Sequence, residues 1–281
     1  MTSVVIAAHN EEAVIARCLK ALSNQQGVGG LQVVVAANGC TDKTAAVARA
    51  HGADVVETDI AGKANALNLA DEVATGYPRI YLDADIALAP NLVDSLVKAL
   101  AADPMACAAV PARHLDVSGR PVVVRAYTAI SARHPAFEDG LFGRGVIALS
   151  ERGRSRFTTF PKLIADDLFL DSLFSSEEKL HVETAVVKVD TPLRSRDLIK
   201  RLVRVRRGNA ELRAASRGGE VDVEVRDANR SAWLTKVVLN NPRLLPAGVV
   251  YAGVSVLASI LARRKPRSAS AWERDDSTRA T

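Results

Sequence analysis

Two aspartates, Asp83 and Asp85, follow directly after the apolar run of residues 80–82. On an extended backbone, residues i and i+2 point to the same side, so both carboxylates can face one point beyond a strand end. Open α/β sheets bind ligands at that place, and two hard oxygen ligands suit Mg²⁺ or Mn²⁺ holding a diphosphate. A surface turn is the alternative interpretation, because aspartate is common after strands.

A second acidic pair, Asp166 and Asp167, interrupts the apolar segment of residues 164–170. Adjacent carboxyl groups inside an apolar segment are costly unless they are paired or take part in chemistry. This segment is therefore a second candidate for a functional position. An acidic pair in the first turn of a helix is the alternative interpretation.

Strand and helix patterns alternate four times along about the first hundred residues. Uncharged runs rich in β-branched residues predict central parallel strands, and apolar residues at helical spacing predict the helices between them. Asn10 is predicted to cap the first helix, with Glu11 and Glu12 in its first turn. The alternation predicts a parallel sheet covered on both faces. The predicted strands span residues 3–8, 31–37, 54–58 and 79–82, and the predicted helices span residues 10–22, 41–51, 62–74 and 91–102.

The composition is that of a globular protein, with 281 residues, 48% hydrophobic and 25% charged. The net charge of +5 permits an acidic partner, but nucleic-acid binding is disfavoured, because only 4% of residues are aromatic and the basic stretch at 194–207 lacks stacking residues. Three isolated cysteines without a CxxC pair indicate a reducing compartment rather than a disulfide framework or zinc site. The apolar run at the N-terminus is too short for a signal peptide, so we expect the first domain to stay in the cytoplasm.

Four motifs at strand exits or helix starts resemble family 2 glycosyltransferases with the GT-A fold. They are Val5–Glu12 (VIAAHNEE), Asn38–Thr44 (NGCTDKT), Gly62–Asn68 (GKANALN) and Asp83–Asp85 (DAD), within a similarity that covers residues 1–210. Two departures concern Ala7, where the family often has proline, and Ala37 with Asn38, where it often has two acidic residues. One of those acidic residues would contact the nucleotide base, so the choice between uridine and guanosine stays open.

The resemblance implies a donor pocket lined by Ala8, Glu11 and Asn38. Lys63 would approach the nucleotide or its phosphates, because its point charge suits phosphate groups. Glu11 has a second interpretation as a helix-capping residue, and Lys63 has one as an exposed lysine at a helix start. His9 is expected to be structural rather than catalytic.

The resemblance also implies a metal site and a catalytic base. Asp85 would ligate Mg²⁺ or Mn²⁺ most directly, and Asp83 would support the metal or the donor ribose. Asp166 and Asp167 look like the Glu-Asp pair of inverting members, with Asp167 as the general base that deprotonates the acceptor hydroxyl. One base without a separate nucleophile implies a single displacement with inversion.

Residues of the second half are candidates for the acceptor or the diphosphate. Gly143 and Gly145 flank Arg144 in a turn where the family has a loop beside the acceptor, although an ordinary hairpin turn fits as well. Further along, Arg204 and Arg207 share one face of a basic helix and loosely resemble the Gln-x-x-Arg-Trp segment of processive members. Both Gln and Trp are replaced, which favours single-sugar transfer. The two arginines could clasp the diphosphate, face solvent, or let the helix rest on anionic lipid.

The C-terminal part contains an uncharged stretch at residues 244–262, which as a helix would reach about 28 Å and be marginally long enough for a membrane span. The basic cluster at 263–267 prefers the cytoplasmic side, where the catalytic domain must also be. One straight span cannot satisfy both. We therefore expect a segment that lies in the membrane plane or re-enters, or a helix packed on a partner; a buried helix of the domain is the alternative.

We therefore predict an α/β protein with a GT-A fold, in which helices flank a mixed, mostly parallel sheet over residues 1–230, followed by an apolar helix and polar tail at 231–281. The predicted function is metal-dependent, inverting transfer of a sugar from a nucleoside diphosphate to a glycan or lipid-linked hydroxyl at the cytoplasmic face of the membrane. The alternatives are a catalytically silent nucleotide-sugar-binding scaffold and a sugar-phosphate nucleotidyltransferase. The latter would need a Gly-rich basic loop after the first strand, where His9–Glu12 stands instead.

Overall fold

The structure of the protein is a computed structural model that describes residues 1–226, 229 and 231–264. The predicted polar tail, residues 265–281, lies outside the described residues. All eight strands and helices predicted for the first hundred residues are present, with their ends shifted by a few residues.

Seven strands of the described chain form one sheet in the order β3-β2-β1-β4-β6-β5-β7. They are β1 (Thr2–Ala8), β2 (Leu31–Asn38), β3 (Asp54–Thr58), β4 (Arg79–Asp83), β5 (Ala108–Asp116), β6 (Val146–Leu149) and β7 (Lys179–Asp190). Strand β1 pairs in parallel with β2 and β4, and β2 pairs in parallel with β3. Strand β6 runs antiparallel to β4 and β5. The predicted mixed, mostly parallel sheet is confirmed.

The helices alternate with the strands in the first part of the chain, as the apolar spacing predicts. They are α1 (Glu12–Ser23), α2 (Thr44–Ala50), α3 (Lys63–Val73), α4 (Leu92–Ala102), α5 (Val122–Ser131), α6 (Glu151–Arg154), α7 (Asp166–Ser172), α8 (Ser195–Arg217) and α9 (Leu245–Arg264). Every residue of β1 is buried, as in a central strand of a parallel sheet whose two faces are covered by helices. An uncharged sequence is what such a central strand requires.

The chain divides into two compact units. The first comprises Met1–His114 and Leu141–Val189, and the second comprises Leu115–Gly140 and the described residues from Asp190 onward. This division differs from the predicted boundary at residue 230, because α5 and α8 form one apolar cluster with α9.

The second unit is held together by apolar contacts along α9. Val254 packs with Val124 of α5 and Leu198 of α8. The rings of Tyr127 and Tyr251 stack with their centroids 4.8 Å apart. The predicted apolar stretch is thus one helix with a packed face. The helical segment Pro242–Arg264 is long and apolar enough to cross a membrane by length and composition alone.

A buried group of charged and polar side chains joins three elements of the first unit. Asp71 of α3 accepts hydrogen bonds from Arg79 of β4, from Arg154 Nε at 3.1 Å and from the Tyr81 hydroxyl at 2.7 Å. The side chains of Asp71 and Arg79 are each only 4% exposed. Since buried carboxylates are costly without partners, this group ties α3, β4 and α6 together.

Candidate functional site

The loops that follow β1 and β2 are joined by hydrogen bonds between their backbones and side chains. The Thr41 N–H donates to Asn10 Oδ1 at 2.7 Å, and the Glu11 N–H donates to Thr44 Oγ1 at 2.7 Å. Asn10 has a φ of +53° and does not cap α1, which begins at Glu12. The predicted capping role of Asn10 is therefore wrong, because its side chain is used to hold the neighbouring loop.

Beside these loops, the carboxylates of Glu12 and Asp42 accept hydrogen bonds from backbone N–H groups at the start of each other's helix. Asp42 Oδ2 accepts from the Glu12 N–H at 3.1 Å, and Glu12 Oε2 accepts from the Lys43 N–H at 3.1 Å. Asp42 Oδ1 also accepts from the Thr44 N–H at 3.0 Å. Each carboxylate thus satisfies backbone donors that a helix start leaves free.

The predicted donor-pocket residues Ala8, Glu11 and Asn38 are all buried at these strand ends. Asn38 Nδ2 donates to the Gly62 carbonyl at 2.5 Å, which links β2 to the start of α3. Gly62 has a φ of +146°, a conformation that favours glycine. Asn38 Oδ1 is buried and accepts no hydrogen bond from the described residues. A buried acceptor of this kind suits an N–H donor on a ligand.

Lys63, the first residue of α3, joins the two acidic pairs that the sequence singles out. Its Nζ lies 2.8 Å from Asp83 Oδ1 and 2.9 Å from Asp166 Oδ2. Burial alone would lower the pKa of Lys63, but the charges of Asp166 and Asp83 raise it above its ordinary value, so the ammonium group stays charged. The structure thus brings the two acidic motifs together around one lysine.

The predicted strand geometry of Asp83 and Asp85 is only half right. Strand β4 ends at Asp83, whose carbonyl accepts from the Ile86 N–H at 3.2 Å, so Asp85 lies in a turn and not on an extended backbone. Arg17 Nη2 donates to the Asp85 carbonyl at 3.2 Å. Burial and the negative charges of Asp85 and Asp83 raise the pKa of the Cys18 thiol to about 12.

The donor atoms at this place fit a divalent cation only in part. The described residues contain no group of three or more His, Cys, Asp or Glu side chains that could hold a metal. Asp83 and Asp85 offer hard carboxylate oxygens, and the Asp83 side chain is 43% exposed. Two protein carboxylates are a donor set that Mg²⁺ and Mn²⁺ accept when phosphate and water complete the shell.

Asp167 lies on the first turn of α7, next to the Lys63 group. Its Oδ2 accepts from the Gly143 N–H at 3.3 Å and its Oδ1 from the Leu168 N–H at 2.8 Å. Burial and repulsion from Asp166 raise the pKa of Asp167 to about 6, while Lys63 opposes this rise. A carboxyl with such a pKa is charged near neutral pH yet able to accept a proton, as a general base must be.

The loop before β6 is fixed to α7 at a second point. Asp171 Oδ1 accepts from the Leu141 N–H at 2.9 Å and from Lys179 Nζ at 2.8 Å. Sequence reasoning missed this pair and Arg17. Asp171 stands four residues after Asp167, on the same helix face, and that spacing was the available signal.

Gly143 and Gly145 of this loop make different hydrogen bonds, and Arg144 between them donates to backbone carbonyls. Both glycines have a positive φ, +74° and +69°, but the Gly143 N–H donates to Asp167, whereas the Gly145 carbonyl accepts from the Asp83 N–H at 2.9 Å. A Cβ on Gly145 would lie 2.7 Å from Ile86 and 3.1 Å from Asp83 Oδ2.

Arg144 is 5% exposed, although we expected it at the acceptor. Its Nε donates to the Pro111 carbonyl at 2.8 Å and its Nη1 to the Phe142 carbonyl at 3.1 Å. Burial lowers the pKa of Arg144 to about 10. The guanidinium thus holds backbone of β5 and of the loop instead of facing an open site.

Arg204 and Arg207, which we expected near the diphosphate, lie on α8 in the second unit. Arg207 Nε donates to the Ala262 carbonyl in the last turn of α9 at 3.4 Å. A cation at a helix C-terminus is favourable because the helix dipole is negative there. This contact gives Arg207 a part in joining α8 to α9.

Comparison with known proteins adds a family and a fold. Residues 3–141 match the family model for glycosyl transferase family 2, whereas comparison with curated proteins gave no match. A mannosyltransferase from Pyrobaculum calidifontis, solved with GDP-Man and Mn²⁺, is 21% identical with a TM-score of 0.61 over 95% of this chain and 76% of its own. Mannosyl-3-phosphoglycerate synthase from Rubrobacter xylanophilus is 20% identical, with a TM-score of 0.56 over 82% of this chain and 78% of its own. Glucosyl-3-phosphoglycerate synthase from Mycobacterium tuberculosis, solved with Mn²⁺, UDP and glucosyl-3-phosphoglycerate, is 24% identical, with a TM-score of 0.54 over 81% of each chain.

Proposed function

Residues 3–141 of this chain belong to glycosyltransferase family 2, and from that premise we infer that the GT-A fold serves inverting transfer of a sugar from a nucleoside diphosphate to a hydroxyl group. The observation that carries the proposal is Lys63, whose ammonium group contacts both Asp83 and Asp166. A cation between the strand-end carboxylates and the α7 carboxylates supports one site in which donor and base meet.

Asp167 is the proposed general base. The Gly143 and Leu168 N–H groups fix its carboxylate, and its raised pKa, about 6, lets it take a proton near neutral pH. The acceptor hydroxyl gives that proton to Asp167 while its oxygen forms a bond to the anomeric carbon. The bond from that carbon to the diphosphate oxygen breaks in the same displacement, which inverts the anomeric centre.

Asp85 and Asp83 are the residues that would hold Mg²⁺ or Mn²⁺, because both present hard oxygen donors at the end of β4. When bound, the metal supplies positive charge for the departing diphosphate. Lys63 contributes a fixed positive charge beside the same carboxylates. The Mn²⁺ in the mannosyltransferase and glucosyl-3-phosphoglycerate synthase structures supports this assignment.

Ala8, Glu11 and Asn38 line the proposed nucleotide pocket. The buried Asn38 Oδ1, without a partner in the described chain, suits the ring N–H that uracil and guanine both carry. UDP and GDP donors, each present in a similar structure, are therefore the first candidates. We further propose that the acceptor is a glycan or lipid-linked hydroxyl, reached at the cytoplasmic face of the membrane through α9, since that helix could anchor to a membrane.

The proposal is tested by thermal shift with UDP- and GDP-sugars, with and without Mn²⁺, on the wild type, Asp85→Ala and Asp54→Ala. Ligands that bind the folded state raise the melting temperature. We expect a metal-dependent rise with one nucleotide class that is lost in Asp85→Ala and kept in Asp54→Ala, an exposed aspartate of β3. Transfer to the hydroxyl group of a glycan or lipid-linked glycan acceptor, with the product anomer determined by NMR, tests inversion. Donor binding without transfer or hydrolysis would favour the silent scaffold, and a retained anomer would overturn the displacement.

A further inference from the structure

One face of α9 is apolar and exposed to solvent along about four helical turns. Its main side chains are Leu245, Val249, Val256, Leu257 and Ile260, with exposures of 56%, 66%, 59%, 43% and 43%. At 100° per residue these positions fall within an arc of about 120°. We call this arc the α9 stripe. Contiguous exposed apolar surface of this kind marks an interaction site.

The opposite face of α9 is fixed within the second unit, so the stripe is not the exposed side of a loose helix. Val254 is buried against Val124 and Leu198. Further along, Arg206 Nε donates to Ser259 Oγ at 3.1 Å. The packing therefore determines which side chains α9 turns outward.

The charge around the stripe is of one sign. Residues 231–264 contain four basic residues, Lys236, Arg243, Arg263 and Arg264, and no acidic residue. Arg243 precedes α9, and the exposed residues Arg263 and Arg264 end it, so cations flank the stripe at both ends. Anionic phospholipid complements an apolar stripe with cationic ends.

We propose that the α9 stripe is a membrane-docking surface that lies in the plane of an anionic bilayer, and that α9 does not span it. The apolar side chains enter the boundary between headgroups and acyl chains, and the flanking arginines contact lipid phosphates. A second protein copy or another protein would be expected to offer acidic or apolar side chains, and the test below separates those occupants.

The partner helix α8 is the reason that α9 does not span. Val254 lies at the middle of α9 and forms one apolar cluster with Leu198, against which Ile199 also packs. If α9 crossed the bilayer with this packing, the adjoining charged residues Asp197 and Lys200 would sit at membrane depth, where charges are strongly disfavoured. If α9 lies in the membrane plane, α8 packs on the face of α9 that points away from the lipid, and its charged residues stay out of the bilayer.

The experiment is sedimentation of the full chain with vesicles of phosphatidylcholine alone and with 30% phosphatidylglycerol, a composition chosen to vary only the lipid charge. Val249→Glu/Val256→Glu places two carboxylates in the stripe. The matched control is Met105→Glu/Val186→Glu, which adds the same charge at exposed apolar positions of the first unit. Melting temperatures of both variants verify the fold.

We expect binding to the anionic vesicles, a fall of about tenfold in the Val249→Glu/Val256→Glu variant, little change in the control, and release of the wild type by alkaline carbonate. Arg263→Gln/Arg264→Gln should weaken binding to anionic vesicles only. Equal loss in the control, resistance to carbonate, or absence of vesicle binding would overturn the proposal; a dimer that the stripe variant dissociates would assign the surface to a second copy. Vesicle binding needs no sugar donor, so its failure is distinguishable from failure of the transferase proposal.

Discussion

Two lysines of the first unit each contact carboxylates, but water reaches only one of them. Lys63 lies between Asp83 and Asp166, with side chains 31%, 43% and 19% exposed. Lys179 lies against Asp171, with side chains 1% and 3% exposed. The Nζ–O distances are nearly the same, 2.8 to 2.9 Å. The two groups therefore differ in accessibility and not in contact geometry.

This difference separates a group that can exchange partners from one that cannot. A partly exposed ion pair contributes little to stability, and its carboxylates remain available to a ligand. A fully buried pair must keep its partner, because a lone buried charge is strongly destabilising. Changes at the Lys63 group should therefore alter chemistry, and changes at the Lys179 group should alter stability.

The largest expected effect is on catalysis. Asp167→Asn removes the proposed base and should lower transferase activity by a factor of about 10² to 10⁴. The melting temperature should not fall, because burial and Asp166 already disfavour the charged form of Asp167. Steady-state kinetics and calorimetry measure the two effects. Wild-type activity in this variant would remove Asp167 from the mechanism.

The second prediction concerns the buried lysine. Lys179→Met removes the ammonium group that lies 2.8 Å from the buried Asp171 carboxyl group, which should cost about 3–5 kcal/mol of unfolding free energy. Lys63→Met should cost about 1 kcal/mol, because its partners are partly solvated. Urea unfolding of both variants measures this contrast. Equal losses would break the distinction between the two groups.

Backbone conformation provides the third prediction, with a matched pair of glycines. Gly119 and Gly145 have nearly equal φ values, +67° and +69°, but only Gly145 has neighbours within 4 Å of an added Cβ. Gly119→Ala should cost about 1–2 kcal/mol for the left-handed conformation. Gly145→Ala should cost more, and should weaken donor binding, because the methyl group displaces Ile86 or Asp83. Similar losses in the two variants would show that crowding at Asp83 is unimportant.

The smallest predicted effect is the pH dependence of the rate. Since the pKa of Asp167 is raised to about 6, the carboxyl carries a proton below that pH and cannot accept one. The rate should fall about tenfold per pH unit below 6 and level off above it. The matching measurement is kcat/KM between pH 4.5 and 8, with circular dichroism to verify the fold. A rate that is flat down to pH 5 would contradict a base with this pKa.

Most of the fold of the first unit could be predicted because its strands and helices each show the spacing of apolar residues that is typical of that element. The strands β1 to β4 are short apolar runs, and their exits carry polar residues at one sheet edge. Residue patterns also predict Asp83 and Asp166 as functional candidates, and the family resemblance adds Lys63. What spacing does not give is that Lys63 joins Asp83 to Asp166, which depends on packing between distant segments.

The failures have the same physical origin. Asp85 lies inside the turn that the Ile86 N–H closes on the Asp83 carbonyl, so the extended backbone ends at Asp83, two residues before Asp85. Arg144, a candidate for the acceptor or the diphosphate, is buried and contacts the carbonyls of Pro111 and Phe142 and the His181 ring. The sequence also does not reveal that apolar side chains of α8 pack with α9. A local pattern gives a residue's type of partner but not which distant segment supplies it.

The shared hydrogen bonds at the starts of α1 and α2 have a consequence for how this sequence can be altered. Asn10 accepts a hydrogen bond from the Thr41 N–H. Glu12 and Asp42 each accept one from a backbone N–H group of the other segment. Each segment depends on the other for at least one hydrogen bond to its backbone N–H groups. The segments at 9–12 and 38–44 should therefore be exchanged between relatives as a pair, because a chimera that imports one without the other loses the hydrogen bonds that join the two loops beside the proposed nucleotide pocket.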